Sequence, residues 1–349
     1  MSRKLGILIA GLDGAVATTV VAGTALIRRG LTRPIAMLSE SEPLARKCQL
    51  APLEDVVFGG WDTRGENLFE AALRNEVLDK QRLTPIAKEL AATKPWTSGS
   101  AIKIRRDIET FRRKHKLASV VVVNLLPTGL DREAQLYARA AIESGCPFLN
   151  FTPNQAVEVS PLVELADRHR VPTAGKDGKT GQTWIKSVLA PAFAARGLRV
   201  TGWYSTNLLG NEDGKVVGDP EKGASKIASK QHLLGEMLGY EPHHTVQINF
   251  YPPRGDNKES WDNIDFEGFL GLPMQLKIDG LWRDSVLAAP MIIDLVRFLD
   301  LAHRRGDHGP QEWLSFYFKS PMTRAGKAVH AASEQYGMLR DYLEGWKKG

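Results

Sequence analysis

Apolar and polar positions in the first half of the chain come in blocks. Leu5–Ala10 is an unbroken apolar run, which predicts a strand buried on both faces. Thr18 to Arg29 has helical spacing and stops at Gly30, a residue suited to the left-handed turn after a helix. Further strands are expected at 34–38 (PIAML, followed by polar SESE), 55–62 (DVVFGGWD), 118–126 (ASVVVVNLL), 147–153 (PFLNFTP) and 171–174. Helical patterns lie between them, notably at 63–82, 101–116 and 131–145. Strands alternating with helices predict an α/β chain with a parallel, doubly wound sheet.

The texture then changes. A polar stretch, GKDGKTGQT (175–183), leads into a helix expected to carry Ile185, Val188, Leu189, Ala192 and Phe193 on one face, with Pro191 inside it and Gly197 after it. LRVTGWYST (198–206) reads as a strand. HHTVQINFYPP (243–253) and LPMQLKIDGLW (272–282) alternate in strand fashion with little helix between them. A second, mostly antiparallel sheet is expected here, inserted into the first domain. From Ala288 the helical pattern returns. The expected organisation is a first domain of residues 1–184 and 288–349, and an inserted α+β domain of residues 185–287 for catalysis or assembly.

A length of 349 residues suits about two domains. Composition is ordinary for a soluble globular protein, at 43% hydrophobic and 25% charged. A net charge of +6 is modest. It suits an anionic small molecule, whereas nucleic acid calls for a concentrated basic stripe. The densest basic run, KIRRDIETFRRKHK (103–116), surrounds Ile104, Ile108 and Phe111 at helical spacing and reads as a solvated helix face. Cys48 and Cys146 read as unpaired thiols of a cytoplasmic protein. The apolar N-terminus is interrupted by Asp13 and diluted by glycine and threonine, so it reads as strand and helix, not as a signal peptide or membrane span. The histidines form no metal motif.

Two loops carry the candidate chemistry. GLDGAVATT follows the first strand and opens the first helix, the place of a dinucleotide pyrophosphate in a Rossmann-type fold. Its fingerprint is the variant Gly11-x-Asp13-Gly14-x-x-Ala17. GKDGKTGQT sits at another strand-to-helix junction. It lacks the spacing of a Walker A loop, but backbone N–H groups at a helix start still favour an anion, so a phosphate seat is expected. The simpler reading is a glycine-rich turn with Thr183 as N-cap.

These loops, together with FGGWD, NFTP, LLGNEDGK, SKIASK, GDNKESWDNIDFEGFLG, DSVLAAPMIIDL and FYFKSP, occur in order over nearly the whole chain. In that set the chain resembles the myo-inositol-1-phosphate synthase (inositol-3-phosphate synthase) family, in particular its short archaeal and bacterial forms. The resemblance implies isomerisation of D-glucose 6-phosphate to an inositol monophosphate with NAD that is regenerated in each cycle. Oxidation at C5 acidifies C6, the resulting enolate closes on the C1 aldehyde, and the C5 ketone is reduced again. It also implies a homotetramer assembled through the inserted sheet.

By motif, the resemblance assigns Lys226 and Lys230 (SKIASK), Lys258 (GDNK), Lys319 (FYFKSP), Asp177 and Asp284 to catalysis. Preplaced ammonium groups suit a reaction that develops enolate and alkoxide charge, and their mutual repulsion brings one of them towards the working range of a base. Thr180, Gly181, Gln182 and Thr183 would hold the sugar phosphate. Gly11, Asp13, Gly14, Ala15, Val16, Asp62, Asn124, Thr128, Asp177, Asn211 and Asp213 would lie along the cofactor. Some microbial members also use a divalent cation, for which an aspartate with substrate oxygens is the expected ligand set.

Three departures stand out. Asp13 occupies a position usually held by glycine, where a carboxylate is unfavourable unless it points away from the pyrophosphate. Ala17 stands where relatives have Gly or Ser, and NLLPT (124–128) replaces Asn-x-x-Ser-Thr. The residues are also compatible with a same-fold NAD-dependent cyclase acting on another phosphorylated sugar, with a catalytically silent NAD-binding protein, or with a simple dehydrogenase that releases NADH.

Overall fold

The computed structural model describes residues 3–210, 234–324 and 326–345. In chain order its main elements are β1 (Leu5–Ala10), α1 (Ala15–Arg28), β2 (Val56–Trp61), α2 (Leu68–Asn75), α3 (Ala101–His115), β3 (Ser119–Asn124), α4 (Asp131–Glu143), β4 (Phe148–Asn150), α5 (Ser160–His169), β5 (Pro172–Ala174), α6 (Gln182–Ala195), β6 (Arg199–Leu209), β7 (His243–Phe250), β8 (Asn257–Glu267), β9 (Pro273–Arg283), α7 (Asp284–Arg305), β10 (Gly309–Pro310) and α8 (Ala332–Gly345). The chain divides into two compact units, Met1–Gly178 with Ala288–Ala328 and Met338–Gly349, and Lys179–Leu287 with Val329–Gly337.

The first unit holds a six-stranded sheet in the order β10-β5-β4-β3-β1-β2, with every pair parallel. Its centre is the valine run of β3, where every residue is buried. The chain reverses direction across the sheet between β1 and β3, the switch point where doubly wound folds bind ligands at the carboxyl ends of their strands. Helix α1 is threonine-rich yet mostly buried. Thr18, Thr19 and Thr24 return their hydroxyls to carbonyls one turn back, at 2.7–3.0 Å, so no donor is stranded. Helix α3 buries Ile104, Ile108 and Phe111 and leaves its basic residues solvated, as their spacing predicts. Both cysteines are buried, and neither is in a disulfide.

Residues 34–38 form no strand. Ala36 has φ 65, and a short helix starts at Leu38. The cause is tertiary. The Asp294 carboxylate of α7 accepts from the Leu38 N–H (2.7 Å), the Ser39 N–H (3.1 Å) and the Ser39 hydroxyl (2.5 Å), and so caps that helix. Arg297, one turn further along α7, holds Ser39 Oγ, Glu40 and the Ala51 carbonyl. The helix expected over 63–82 is also shorter. Asn67 starts α2 with a capping box, and Glu76, at φ 54, ends it.

The second unit holds a four-stranded sheet in the order β7-β6-β8-β9. Pairs β6–β8 and β8–β9 are antiparallel, whereas β6–β7 is parallel. Strand β8 escapes the sequence pattern because its run, NKESWDNIDFE, is mostly polar. Its buried positions are Ser260, Asp262 and Ile264, so two of the three inward side chains are hydrophilic.

Candidate active site

In the first unit, β1 leads into the loop at the switch point. Gly11 sits at φ 91, and a Cβ there would lie 2.6 Å from the Leu125 carbonyl oxygen, so only glycine fits. The N–H groups of Gly11 and Leu12 both donate to the Trp61 carbonyl, at 2.9 and 3.1 Å, which fastens the loop to the end of β2. Gly14 is the N-cap of α1 and supplies no side-chain cap. Ala15 and Val16 follow it, half-buried in the first turn. The N–H groups of that turn have no intrahelical partner and point at whatever lies beyond the helix end. A glycine cradle closed to any Cβ and an uncapped helix start are what a pyrophosphate needs, so the residues present fit NAD.

Asp62 follows β2. Its Oδ2 accepts the Asp13 N–H at 2.9 Å and its Oδ1 the Thr63 N–H at 2.7 Å. The Asp13 carbonyl accepts from Arg74 (3.1 Å) and Asn75 (2.9 Å). The Asp13 side chain is 2% exposed, and among the described residues neither carboxylate oxygen has a hydrogen-bond partner. Burial pushes this carboxyl up to about 6. Asp62 and Glu66 add to the rise, and Arg74 and Arg64 oppose it.

Asn124 ends β3 fully buried. Its amide donates to Asn150 Oδ1 and Thr152 Oγ1, both at 3.0 Å, and its Oδ1 accepts the Leu126 N–H. Both amide hydrogens are therefore used inside the protein. Asn154 holds the following loop, donating to the Pro127 carbonyl (3.0 Å) and accepting from Gly129 N–H (2.8 Å), with Thr128 half-buried between them. The NFTPN stretch (150–154) is thus a brace for the loop that bears Thr128. Asp177 has φ 61, and its Oδ1 accepts from Lys319 Nζ at 2.8 Å. The Lys319 N–H donates to the Asp177 carbonyl at 2.7 Å, which locks the pair at the backbone as well.

In the second unit, Asp284 opens α7, where a helix start favours a carboxylate. Its Oδ1 accepts from the Thr180 hydroxyl at 3.0 Å, and its Oδ2 lies 3.9 Å from Lys258 Nζ. Register explains the meeting. Lys258 is the second residue of β8, opposite Trp282 on β9, and Asp284 directly follows β9. Gly181 is the N-cap of α6, and a Cβ there would touch the Trp282 ring at 3.5 Å. Thr183 is therefore not the cap, and it sits half-buried in the first turn.

Gln182 differs from its expected role. Its side chain is buried and engaged at both ends, with Nε2 donating to Asp262 Oδ2 (2.8 Å) and Oε1 accepting from Asn207 (2.7 Å). Only its backbone N–H is left to meet a phosphate. The Oδ1 atom of Asp262 accepts from Trp203 Nε1 (2.7 Å) and the Ser205 hydroxyl (2.6 Å). The buried residues of α6 are accordingly Gln182, Lys186, Ser187, Ala190 and Phe193, of which only Phe193 belongs to the apolar set expected, and Val188 is exposed. Lys186 lies 2.9 Å from His244 Nε2, and burial pushes its ammonium down to about 8 against the pull of Asp262. Lys179 is buried and donates to Gln335, with burial pushing it down to about 7. Sequence reasoning missed Asp262, Lys186 and Lys179. Polar residues at 182 and 186, one helical turn apart, were the available signal.

Gln182→Ala would leave Asp262 and Asn207 each short of a partner. The expected result is a loss of about 1–3 kcal/mol in a denaturant melt. A side chain that served only as a phosphate contact would leave the melt unchanged.

Lys226, Lys230, Asn211 and Asp213 lie outside the described residues. Among the described residues no three His, Cys, Asp or Glu side chains are grouped to hold a metal ion, and no helix is long and apolar enough to cross a membrane.

Family models described as myo-inositol-1-phosphate synthase match residues 5–103, the family's NAD-binding portion, and residues 181–285. The chain is 39% identical to inositol-3-phosphate synthase 1 of Bacteroides thetaiotaomicron over 91% of its own length and 90% of that protein. It is 28% identical to inositol-3-phosphate synthase 1 of Oryza sativa subsp. japonica, over 97% and 85% respectively. The crystal structure of inositol-3-phosphate synthase from Caenorhabditis elegans shares the fold, with a TM-score of 0.89 at 23% identity, covering 99% of this chain and 86% of that one.

Proposed function

The chain belongs to the myo-inositol-1-phosphate synthase family, and we propose that it converts D-glucose 6-phosphate to 1D-myo-inositol 3-phosphate with NAD regenerated in every cycle. Bound NAD supplies the oxidation and the later reduction at C5. One observation carries the reading for this chain: Asp284 joins Thr180 of the phosphate loop to Lys258 in a single constellation.

The residues divide the work. Gly11, Gly14, Ala15 and Val16 seat the pyrophosphate with Asp13 beside them, Asp62 faces the ribose, and Thr128 borders the cofactor on the loop that Asn124 positions from below. Thr180, Gly181 and Thr183, with the backbone of Gln182, hold the sugar phosphate at the start of α6. Asp284 orients Lys258. Asp177 orients Lys319 and relays a proton near the nicotinamide end. Lys258 and Lys319 stabilise the enolate and alkoxide oxygens. Lys226 and Lys230 are assigned to the same task by their motif, and Asn211 and Asp213 to the neighbourhood of cofactor and substrate.

The proposal extends to a cytoplasmic homotetramer serving inositol and phospholipid biosynthesis. Phe269, Leu270, Leu272 and Leu281, on edge strand β9 and the turn before it, are 88%, 76%, 61% and 64% exposed, a concentration of apolar surface that suits burial between copies. Light scattering on the purified protein tests the tetramer. Turnover before and after EDTA tests the use of a divalent cation.

Thr180→Val tests the phosphate seat. It removes the hydroxyl that joins the loop to Asp284. Affinity for glucose 6-phosphate and for inorganic phosphate should fall about tenfold, equivalent to roughly 1.4 kcal/mol, with NAD affinity unchanged. Lost NAD binding with intact phosphate binding would reverse the assignment of the two loops.

A further inference from the structure

The Asp13 side chain occupies the position at which dinucleotide loops usually place glycine so that backbone can approach the pyrophosphate. It is not turned out to solvent. It is 2% exposed, and neither oxygen has a hydrogen-bond partner among the described residues. An ionised carboxylate in that setting lacks the donors that normally repay its burial. The charged groups facing it are Asp62 and Glu66, which oppose its ionisation, and Arg74 and Arg64, which favour it. Arg74 is already committed, to Glu66 at 2.9 Å and to the Asp13 carbonyl at 3.1 Å. The positive end of α1 also favours the ion, but it is the same end that a pyrophosphate would use. A bound pyrophosphate would add negative charge beside a carboxyl that is already disfavoured as an anion.

We propose that Asp13, buried beside the pyrophosphate, is the neutral carboxylic acid when NAD is bound, so that NAD binding takes up a proton from neutral solution. This rests on the reading that NAD lies on the 11–16 loop. Burial pushes the free carboxyl up to about 6, so above that pH NAD binding must bring a proton with it. Affinity is then flat below about pH 6 and falls towards tenfold per pH unit above it, until the pKa of the complex is reached. A glycine at this position would show no such dependence. The departure from the family's pattern therefore couples cofactor binding to pH.

The test is isothermal titration of NAD into the whole chain from pH 5.5 to 8.5, repeated at pH 7.5 in two buffers of different ionisation enthalpy. The expected results are a rising Kd above about pH 6 and uptake of close to one proton. Asp13→Asn, a neutral amide of the same shape, should flatten the profile and bind NAD about tenfold or more tightly than the parent at pH 8, with no gain at pH 5.5. NAD binding without proton uptake would overturn the proposal while leaving the cofactor site standing. A slope that persists in the Asn variant would move the coupling to another group, such as Glu66. Absence of NAD binding at every pH would remove the cofactor reading and this proposal together. If the variant fails to fold, the two-buffer measurement on the parent decides alone.

Discussion

Lys258→Ala and Lys319→Ala should each lower kcat by about 10²-fold or more while the melting temperature stays nearly unchanged. Both ammonium groups are assigned to charge that appears only after substrate binds, so their loss falls on the transition state. Each is paired with a carboxylate that keeps about a quarter of its surface in solvent, Asp284 at 26% and Asp177 at 26%. Partly exposed pairs of this kind contribute at most about 1 kcal/mol to stability, and the stranded carboxylate can rehydrate. Lys226→Ala and Lys230→Ala should behave alike and combine non-additively, as members of one constellation do. Lys80, outside every motif, is the control whose loss leaves turnover intact. Near-parental turnover in all four alanine variants, with inositol phosphate still produced, would place the active site elsewhere.

Asp262→Ala should show the opposite signature. Its carboxylate is buried and accepts three hydrogen bonds, from Gln182, Trp203 and Ser205. Removing it strands three buried donors and leaves Lys186 without the nearby charge that offsets its desolvation. The expected cost is about 3–5 kcal/mol, enough to lower the melting temperature by roughly 10 °C for a unit of this size. Phosphate affinity should fall with it, because the start of α6 hangs on Gln182. Asp262→Asn keeps the shape and one oxygen to accept from Trp203 and Ser205. It sets an amide N–H2 against the Gln182 donor and removes the charge near Lys186, so it should recover only part of the loss. A stable Asp262→Ala variant with normal phosphate affinity would show that the start of α6 holds itself in place.

The sheet of the first unit was legible because its strands are buried on both faces and read as plain apolar runs, as Val120–Val123 does. PIAML was misread because the same apolar content is held as a turn and short helix by Asp294 and Arg297, more than 250 positions away in sequence. No local pattern carries that information. Strand β8 was missed for the reverse reason: two of its three inward side chains are a serine and an aspartate that accept hydrogen bonds. The candidate site was visible in outline as motifs, but the meeting of Asp284 with Lys258 depends on the register of β8 against β9, and β8 was not read from the sequence. Gln182 was not legible. Its motif marks it as a phosphate contact, whereas its side chain is spent on Asp262 and Asn207. A sequence shows which residues a loop contains, but not which way each one faces.

The central claim is that the chain oxidises and then reduces its own substrate. The direct measurement is NMR of the product formed from glucose 6-phosphate with NAD far below stoichiometric, with NADH absorbance followed in the same tube. The account predicts many equivalents of inositol monophosphate per NAD and a flat absorbance trace. NADH rising in step with loss of the sugar phosphate, without a cyclitol product, would contradict it.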